Sequence, residues 1–463
     1  MAHVQKRTTS TGQTRYVVKW RTPDGKQRSK GGFTTKKNAE DYATEVDYNT
    51  KRGTRFDPKA GGVLFRVVAA AWLASRHDLK PRTRGEYENL LRPKTRGPIA
   101  TRGLSIDAKF GGYPLNAITR EQISEWVRAL TAAGKKPSTV RHAYFVVRMV
   151  LAQAVVDGRL TENPADYVKL PSEHSTGGGA PGVVDDPDQF LTAAQVQALV
   201  VATPWPCNVL IHVAAWAGLR AAELAGLQVG DVDLPVRSLN PNARQKPGTL
   251  RVERTVITVD GRLVYDTPKT RGSRRRVPLT PATVELLRDY LARHPRADDP
   301  TAPLFPAMKL IPQKPTGVRA TDENGKRIIH KAEDVLAALS VDEAEARLTL
   351  DWGAPLRHQT FYKAVYRPAV LRANRIAADR RTIKLPPALK FHALRHTYVS
   401  LCVEAGIQPL EIAKMAGHAK VTTTLSVYAH LFEDDHADAM AALGAMGTPS
   451  SETGTVVPIR SLG

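Results

Sequence analysis

Residues 171 to 188, opening Pro171-Ser-Glu-His-Ser-Thr-Gly-Gly-Gly-Ala-Pro181-Gly, hold glycine and proline at the density of a flexible linker rather than of a helix or strand. The 463-residue chain therefore cannot wind around one continuous core and must fold as separate bodies on either side of a hinge. From about Gly61 to Leu170 the apolar spacing is helical. Leu64, Val67, Val68, Ala71 and Trp72 form one stripe, and Ile123, Trp126, Val127 and Leu130 another. Thr119 with Gln122 makes a capping box, Ser138 is a second cap, and Gly158 suits a left-handed stop before Pro164. A bundle of about four helices is expected. After the hinge, Thr192 with Gln195 caps a further helix, and helices alternate with a small sheet as far as about residue 443. In that sheet Leu250 to Val259 and Arg262 to Thr267 form a hairpin, and Arg274 to Leu279 a third strand.

Charge narrows the partners. Sixty-seven Lys and Arg against forty-five Asp and Glu leave a net charge of +22, a field that draws in polyanions, with nucleic acid as the leading class. Residues 1 to 60 concentrate it, with fourteen cations against six anions. There Tyr16 to Trp20 and Gln27 to Phe33 read as strands joined by a turn at Pro23 to Lys26, followed by a helix from about Thr35 to Asn49. Such a sheet can lie in a major groove, with Lys19, Arg21, Lys26 and Arg28 as candidate DNA contacts; Arg82, Arg84 and Arg141 are candidates on the helical bundle. No apolar run reaches the roughly 18 residues of a membrane span, and the start lacks a signal-peptide core, so a cytoplasmic, nucleoid-associated protein without membrane partners is expected. Cys207 and Cys402, in apolar helical contexts, read as buried thiols.

Chemistry gathers in the second half. Arg220 opens a helix in Ala217-Gly-Leu-Arg-Ala-Ala-Glu-Leu, with Glu223 one turn on; an arginine fork is shaped to grip two phosphate oxygens. In Phe391-His-Ala-Leu-Arg-His-Thr397, His392 and Arg395 lie three apart and project from one helix face. Met415-Ala-Gly-His418 is a turn that delivers a histidine, and Tyr428 follows ten residues later. A phenol with a pKa near 10 needs neighbouring cations or bases before it can attack phosphorus. Taken singly, each of these residues has an ordinary structural explanation, such as a surface Arg and Glu pair or a packed tyrosine ring.

Together, in this order, the Gly-Leu-Arg-x-x-Glu-Leu segment, Gly-Asp231-Val-Asp233, His-Ala-Leu-Arg-His-Thr, Gly-His and Tyr-x-His resemble the tyrosine recombinase or phage integrase family, over about residues 190 to 435. The N-terminal piece is similar, more weakly, to the arm-site-binding domain of lambda-type integrases. The resemblance implies a multidomain, mainly α-helical protein with small β-sheets. Its parts would be an arm-type DNA-binding domain at 1–60, a helical, SAM-like core-binding domain at 61–170, a linker at 171–190, an α+β catalytic domain at 191–443 and a tail at 444–463. It implies a site-specific recombinase in which Arg220 and Arg395 clamp phosphate and Tyr428 is the nucleophile. His392 and His418 would bind phosphate oxygens or move protons, Glu223 would support them, and Lys269 would be the general acid. The hairpin also carries Arg271, Arg274, Arg275 and Arg276, so which cation reaches the leaving group stays open.

Preorganised guanidinium groups can carry the charge that builds on non-bridging oxygens, so no metal or cofactor is expected. The implied partners are double-stranded attachment sites, three further copies of the chain, a host DNA-bending protein and an excision factor. A type IB topoisomerase would share the chemistry, whereas a non-catalytic DNA-binding regulator would leave the Arg, His and Tyr set unexplained. The acidic stretch Glu333 to Glu345 reads as a solvated helix or an insertion with no assigned chemistry.

Overall fold

The computed structural model describes residues 2–21, 25–51, 60–95, 102–172, 186–236, 246–259, 261–267, 273–312, 331–428, 440–441 and 443–444. Lys269, Arg271, most of the expected linker, turn residues 22–24 and nearly all of the expected tail lie outside them. The chain divides into two compact units, residues 1–178 and 179–463.

The first unit opens with three antiparallel strands in sequence order, His3–Thr8, Thr14–Arg21 and Gln27–Phe33, one more than the sequence reading gave. The missed strand, His-Val-Gln-Lys-Arg-Thr, is exposed along almost its whole length and has a single apolar residue, so alternation does not reveal it. Val18, fully buried, faces the Lys36–Lys51 helix and packs with Ala39 and Ala43. Cross-strand register puts Lys19 beside His3 and Ser29, and Trp20 beside Arg28. Because side chains alternate across a strand, Lys19 and Arg21 project from the face turned away from the helix, where Arg7 and Arg15 join them, whereas Arg28 belongs to the helix side.

A second core in this unit gathers Phe65–Ser75, Pro81–Leu91, Arg120–Ala132 and Pro137–Val156 around Trp126, Phe110, Leu115 and Ile123. The Thr119 and Gln122 capping box forms in both directions, and Ile123, Trp126, Val127 and Leu130, the expected stripe of the helix it opens, are all buried. Two expectations fail here. The first helix buries Phe65, Val68, Ala69 and Trp72 and leaves Leu64 and Val67 39% and 54% exposed, because the helix begins only at Phe65, whose ring claims the interior. Ser138 is not a cap: Pro137, preset for the first helical position, starts the helix two residues earlier, with Lys136 at the N-cap. Of the bundle's candidate DNA contacts, Arg82 pairs with Glu86 at 2.9 Å, Arg84 reaches the Arg76 carbonyl at 3.2 Å, and Arg141 is half-buried.

In the second unit a large core surrounds the Cys207–Ala217 helix, which is buried along most of its length. Leu250 to Val259 is two strands rather than one. Thr249–Val252 pairs with Val232–Asp233 and Arg275–Pro278, whereas Thr255–Val259 pairs only with Arg262–Asp266. The break falls at Arg254, whose guanidinium binds the buried Asp231 carboxylate at 2.6 Å. Cys207 and Cys402 are free and buried.

The acidic stretch is anchored on its apolar side, with Asp334, Asp342 and Glu343 left exposed. It forms two short helices, Ala332–Ala338 and Val341–Ala346, of which the first lies on the Arg367–Arg380 helix with Leu336 and Ala337 buried. Arg372, 2% exposed, donates to the carbonyls of Leu339, Ala202 and Leu336 at 2.7, 2.8 and 2.8 Å. One side chain thus ties the acidic stretch to the core and satisfies three backbone acceptors. Replacing it with leucine leaves those carbonyls unpaired, and the Arg372→Leu protein is expected to lose about 2 to 4 kcal/mol in urea denaturation.

Candidate active site

The site is assembled from five segments of the second unit, each delivered by a local backbone device. The Cys207–Ala217 helix ends at Gly218 in the left-handed conformation, φ +63°, where a Cβ would stand 2.2 Å from the Tyr398 ring. That turn sends Arg220 out as the N-cap of the one-turn helix Ala221–Leu224, with Glu223 bonding back to its amide at 2.8 Å. A second left-handed glycine, Gly417, ends Pro409–Ala416 and presents His418. His392 caps Ala393–Glu404, which carries Arg395 and His396, and Tyr428 closes the helix Val421–Tyr428.

The electrostatic centre is Glu223, 2% exposed. Its carboxylate accepts from Arg275 Nη1 at 3.1 Å and Nη2 at 3.0 Å, and from Arg220 Nη1 at 2.9 Å. Burial pushes its pKa up, but the bidentate Arg275 and the Arg220 amide and guanidinium outweigh that and hold it below the ordinary carboxyl value. Arg275 also donates to the Met415 carbonyl at 2.6 Å, and Arg220 to the Gly417 carbonyl at 3.2 Å, so the network grips the turn that carries His418. No Cβ fits at Gly417, since it would sit 2.7 Å from Arg275 Nη1.

Arg395 is 3% exposed. Its Nη1 donates to the Gly218 carbonyl at 2.6 Å, and its buried Nη2 has no hydrogen-bond partner among the described residues. Burial, with the positive charge of Arg220, lowers its pKa to about 10, so it stays cationic at neutral pH. The Tyr428 hydroxyl, in a residue 2% exposed, lies 2.7 Å from Nδ1 of His396. Burial raises its pKa to about 12 against the pull of Arg395 and Arg220. His418 Nδ1 binds Thr424 Oγ1 at 2.7 Å, and its ring lies nearly parallel to that of Tyr428, at 14°. His392 stands at the exposed mouth; protein packed on one side of it, then Arg395 and Arg220, lowers its pKa.

The structure thus brings together Arg220, Glu223, His392, Arg395, His418 and Tyr428 from segments up to about two hundred residues apart, whereas Lys269 lies outside the described residues. Two participants escaped the sequence reading. Arg275 shares an inward face with the fully buried Val277, while Arg276 points outward to Asp233 at 3.4 Å. Period-two alternation in the third strand would have singled it out. His396 lies one turn beyond His392 at i+4 spacing, inside a motif whose first histidine alone was assigned. Among the described residues no group of three or more His, Cys, Asp or Glu side chains could hold a metal, and no helix is long and apolar enough to cross a membrane.

One phenol thus stands among guanidinium and imidazole groups, the inventory that attack of a tyrosine on a phosphodiester requires. The chain belongs to the phage integrase family, whose model matches residues 189–434, and is a site-specific tyrosine recombinase. A candidate prophage phiRv2 integrase from Mycobacterium tuberculosis is 24% identical over 417 residues, 89% of this chain and 88% of its own length. A tyrosine recombinase XerC-like protein from Caldanaerobacter subterraneus is 22% identical over 416 residues, 88% of this chain and 89% of its own. The fold is shared with the Tn1549 transposon integrase in complex with transposon right end DNA: TM-score 0.51, 18% identity, 83% of this chain and all of that one.

A buried carboxylate between two guanidinium groups is costly to disturb. Glu223→Ala is expected to destabilise the protein by about 3 to 5 kcal/mol, because Arg275 would be left buried without its counter-ion. The pH dependence follows from the lowered pKa. The ion pair's contribution is complete above the ordinary carboxyl value of 4.5 and is lost as pH falls through the lower folded value. The stability gap between wild type and Glu223→Gln should therefore hold steady from neutral pH down to about 4.5 and narrow below it in denaturant titrations.

Proposed function

We propose that this recombinase cuts and rejoins double-stranded attachment sites through a 3′-phosphotyrosyl bond to Tyr428, integrating and excising a phage or mobile element. The observation that carries the reading is a buried phenol under the charge of a buried guanidinium, Arg395, whose Nη2 has no hydrogen-bond partner among the described residues. A cationic donor aimed into a dry site without an acceptor is matched by a non-bridging phosphate oxygen. Arg220, its side chain 39% exposed, supplies the second, more accessible half of the clamp. In-line attack by the phenol builds negative charge on the phosphate oxygens, where fixed guanidinium donors stabilise it without reorganisation.

His392 stands where a phosphate oxygen would meet it at the mouth, and His418 backs the phenol. Lys269 is the proposed general acid for the departing 5′ oxygen; Arg275 and Arg276 are already committed to Glu223 and Asp233. The phosphotyrosyl bond keeps the energy of the phosphodiester, so a 5′ hydroxyl from a partner strand can reverse the step. No cofactor enters the scheme. The reading extends to an arm-binding domain at 1–60, a core-binding domain at 61–170 and a catalytic domain at 191–443 joined by a linker at 171–190. Four protomers would act on two core sites, and the 444–463 tail, which beyond Gly444 lies outside the described residues, would contact a neighbour. A host DNA-bending protein and an excision factor are its proposed accessory partners, and the nucleoid its place of action. The transposon right end DNA in the Tn1549 integrase complex supports a DNA substrate.

With a nicked duplex carrying the genomic boundary sequence, in EDTA, wild-type protein should form a covalent band on a denaturing gel. Tyr428→Phe should give none, and Arg395→Ala should form it about 100- to 1000-fold more slowly. A band that persists without Tyr428 would overturn the assignment. Deleting residues 1–60 should leave core-site cleavage intact and abolish integration on a full attachment site, as scored by joint-molecule formation; loss of cleavage would refute the arm-domain reading.

A further inference from the structure

The hydrogen bond between His396 and Tyr428 is not explained by packing alone. His396 is 8% exposed and sits beside His392, ring centroids 4.8 Å apart and nearly perpendicular, with the Phe190 ring 6.3 Å away. Among the described residues its Nδ1 is the one ring nitrogen placed against the phenolic oxygen, at 2.7 Å. His418, the other imidazole near the phenol, spends its Nδ1 on Thr424, itself fully buried. From this geometry we infer that His396 is a catalytic residue, the acceptor of the Tyr428 proton during strand cleavage and its donor on rejoining.

The inference rests on the phosphotyrosyl reading and assigns its missing base. The step balances without a co-reactant. As the phenolic oxygen bonds to phosphorus, the bond from phosphorus to the 5′ oxygen breaks, the phenolic proton passes to His396 Nδ1, and the site's general acid protonates the leaving oxygen. When the 5′ hydroxyl of the incoming strand attacks, the acid recovers its proton and His396 returns the other to the departing phenol. A base is needed here, because Tyr428 is held protonated at neutral pH and an arriving phosphate anion disfavours its ionisation further.

His396 meets the requirement for an acceptor. Burial, then His392 and Arg395, lowers its pKa to about 4, so the ring is neutral, and its Nε2–H tautomer leaves the Nδ1 lone pair for the phenol. The charged and titratable groups acting on it are His392 and Arg395 from its own helix, His418 from the turn at Gly417, and Tyr428 from the last helix. A phosphodiester seated on Arg395 offsets part of that cationic influence and makes His396 more basic when DNA is bound.

The test is single-turnover cleavage of the nicked boundary duplex by the full-length protein, with DNA binding and thermal melting measured on each variant. His396→Ala should bind the duplex as wild type does and form the covalent complex about 100-fold more slowly, and added imidazole should restore a concentration-dependent part of the rate. His396→Asn, whose amide oxygen can still accept from the phenol, should lie between the two and keeps the inference testable if the alanine variant does not fold. A wild-type rate in either variant would overturn the inference, as would a slow, folded His396→Ala protein that imidazole does not rescue and an asparagine variant no faster than it. Loss of the band in Tyr428→Phe alongside such a result would leave the phosphotyrosyl reading intact; a band in Tyr428→Phe would remove both.

Discussion

Everything at this site depends on a buried carboxylate. Arg220, its side chain 39% exposed, converges with the buried Arg275 and Arg395, and three guanidinium groups so placed repel one another. Burial first, then Arg220 and Arg275, lowers the pKa of Arg395, a mark of that repulsion. Glu223 offsets it. By taking both nitrogens of Arg275 and one of Arg220, it lets two of the cations sit in fixed positions and leaves the third with a donor to spare. A buried ion pair is weak evidence for net stability, since desolvating the charges costs several kcal/mol. Its role here is geometric: it joins the Gly218 turn, the third strand and the Gly417 turn into one rigid frame.

That frame sits on the large core, but the proposed nucleophile does not. Tyr428 belongs to a small separate cluster with Tyr398, Val399, Cys402 and Ile412. The division suits the chemistry. Phosphate-binding groups must be fixed to within a fraction of an ångström before charge develops, whereas the element that becomes covalently tied to DNA benefits from a shallow attachment whose local opening costs less than global unfolding.

Legibility followed range. Features set by neighbours in sequence could be read directly: both Thr and Gln capping boxes, the buried stripe through Trp126, the helix start at Arg220 and the turn that delivers His418. The family motif then gathered residues no local rule could bring together. What escaped was decided by partners far along the chain. The first strand is polar nearly throughout and becomes a strand only because Thr14–Arg21 offers it an edge. Leu250 to Val259 looks continuous until Asp231 claims Arg254 and splits it between two sheets. The acidic stretch reads as solvated because the group that anchors it, Arg372, is more than thirty residues away and normally a surface residue. His396 was in plain view, yet its importance comes from Tyr428, thirty-two residues on.

The burial of Tyr428 carries a further consequence for how such an enzyme conserves energy. A phosphotyrosyl bond can be resolved by a 5′ hydroxyl, which rejoins DNA, or by water, which leaves a permanent break, and water is far more abundant. A rate advantage for the hydroxyl comes from holding it in line, which an enzyme achieves through the effective molarity of a bound strand. Excluding the competitor requires a dry pocket, and the same dryness raises the phenol's pKa to about 12 and makes it a poor nucleophile unaided. Protection of the intermediate and activation of the nucleophile therefore oppose each other. A neutral imidazole within hydrogen-bonding distance resolves the conflict, because it takes the proton only as the bond to phosphorus forms and requires neither a resting phenolate nor a water channel.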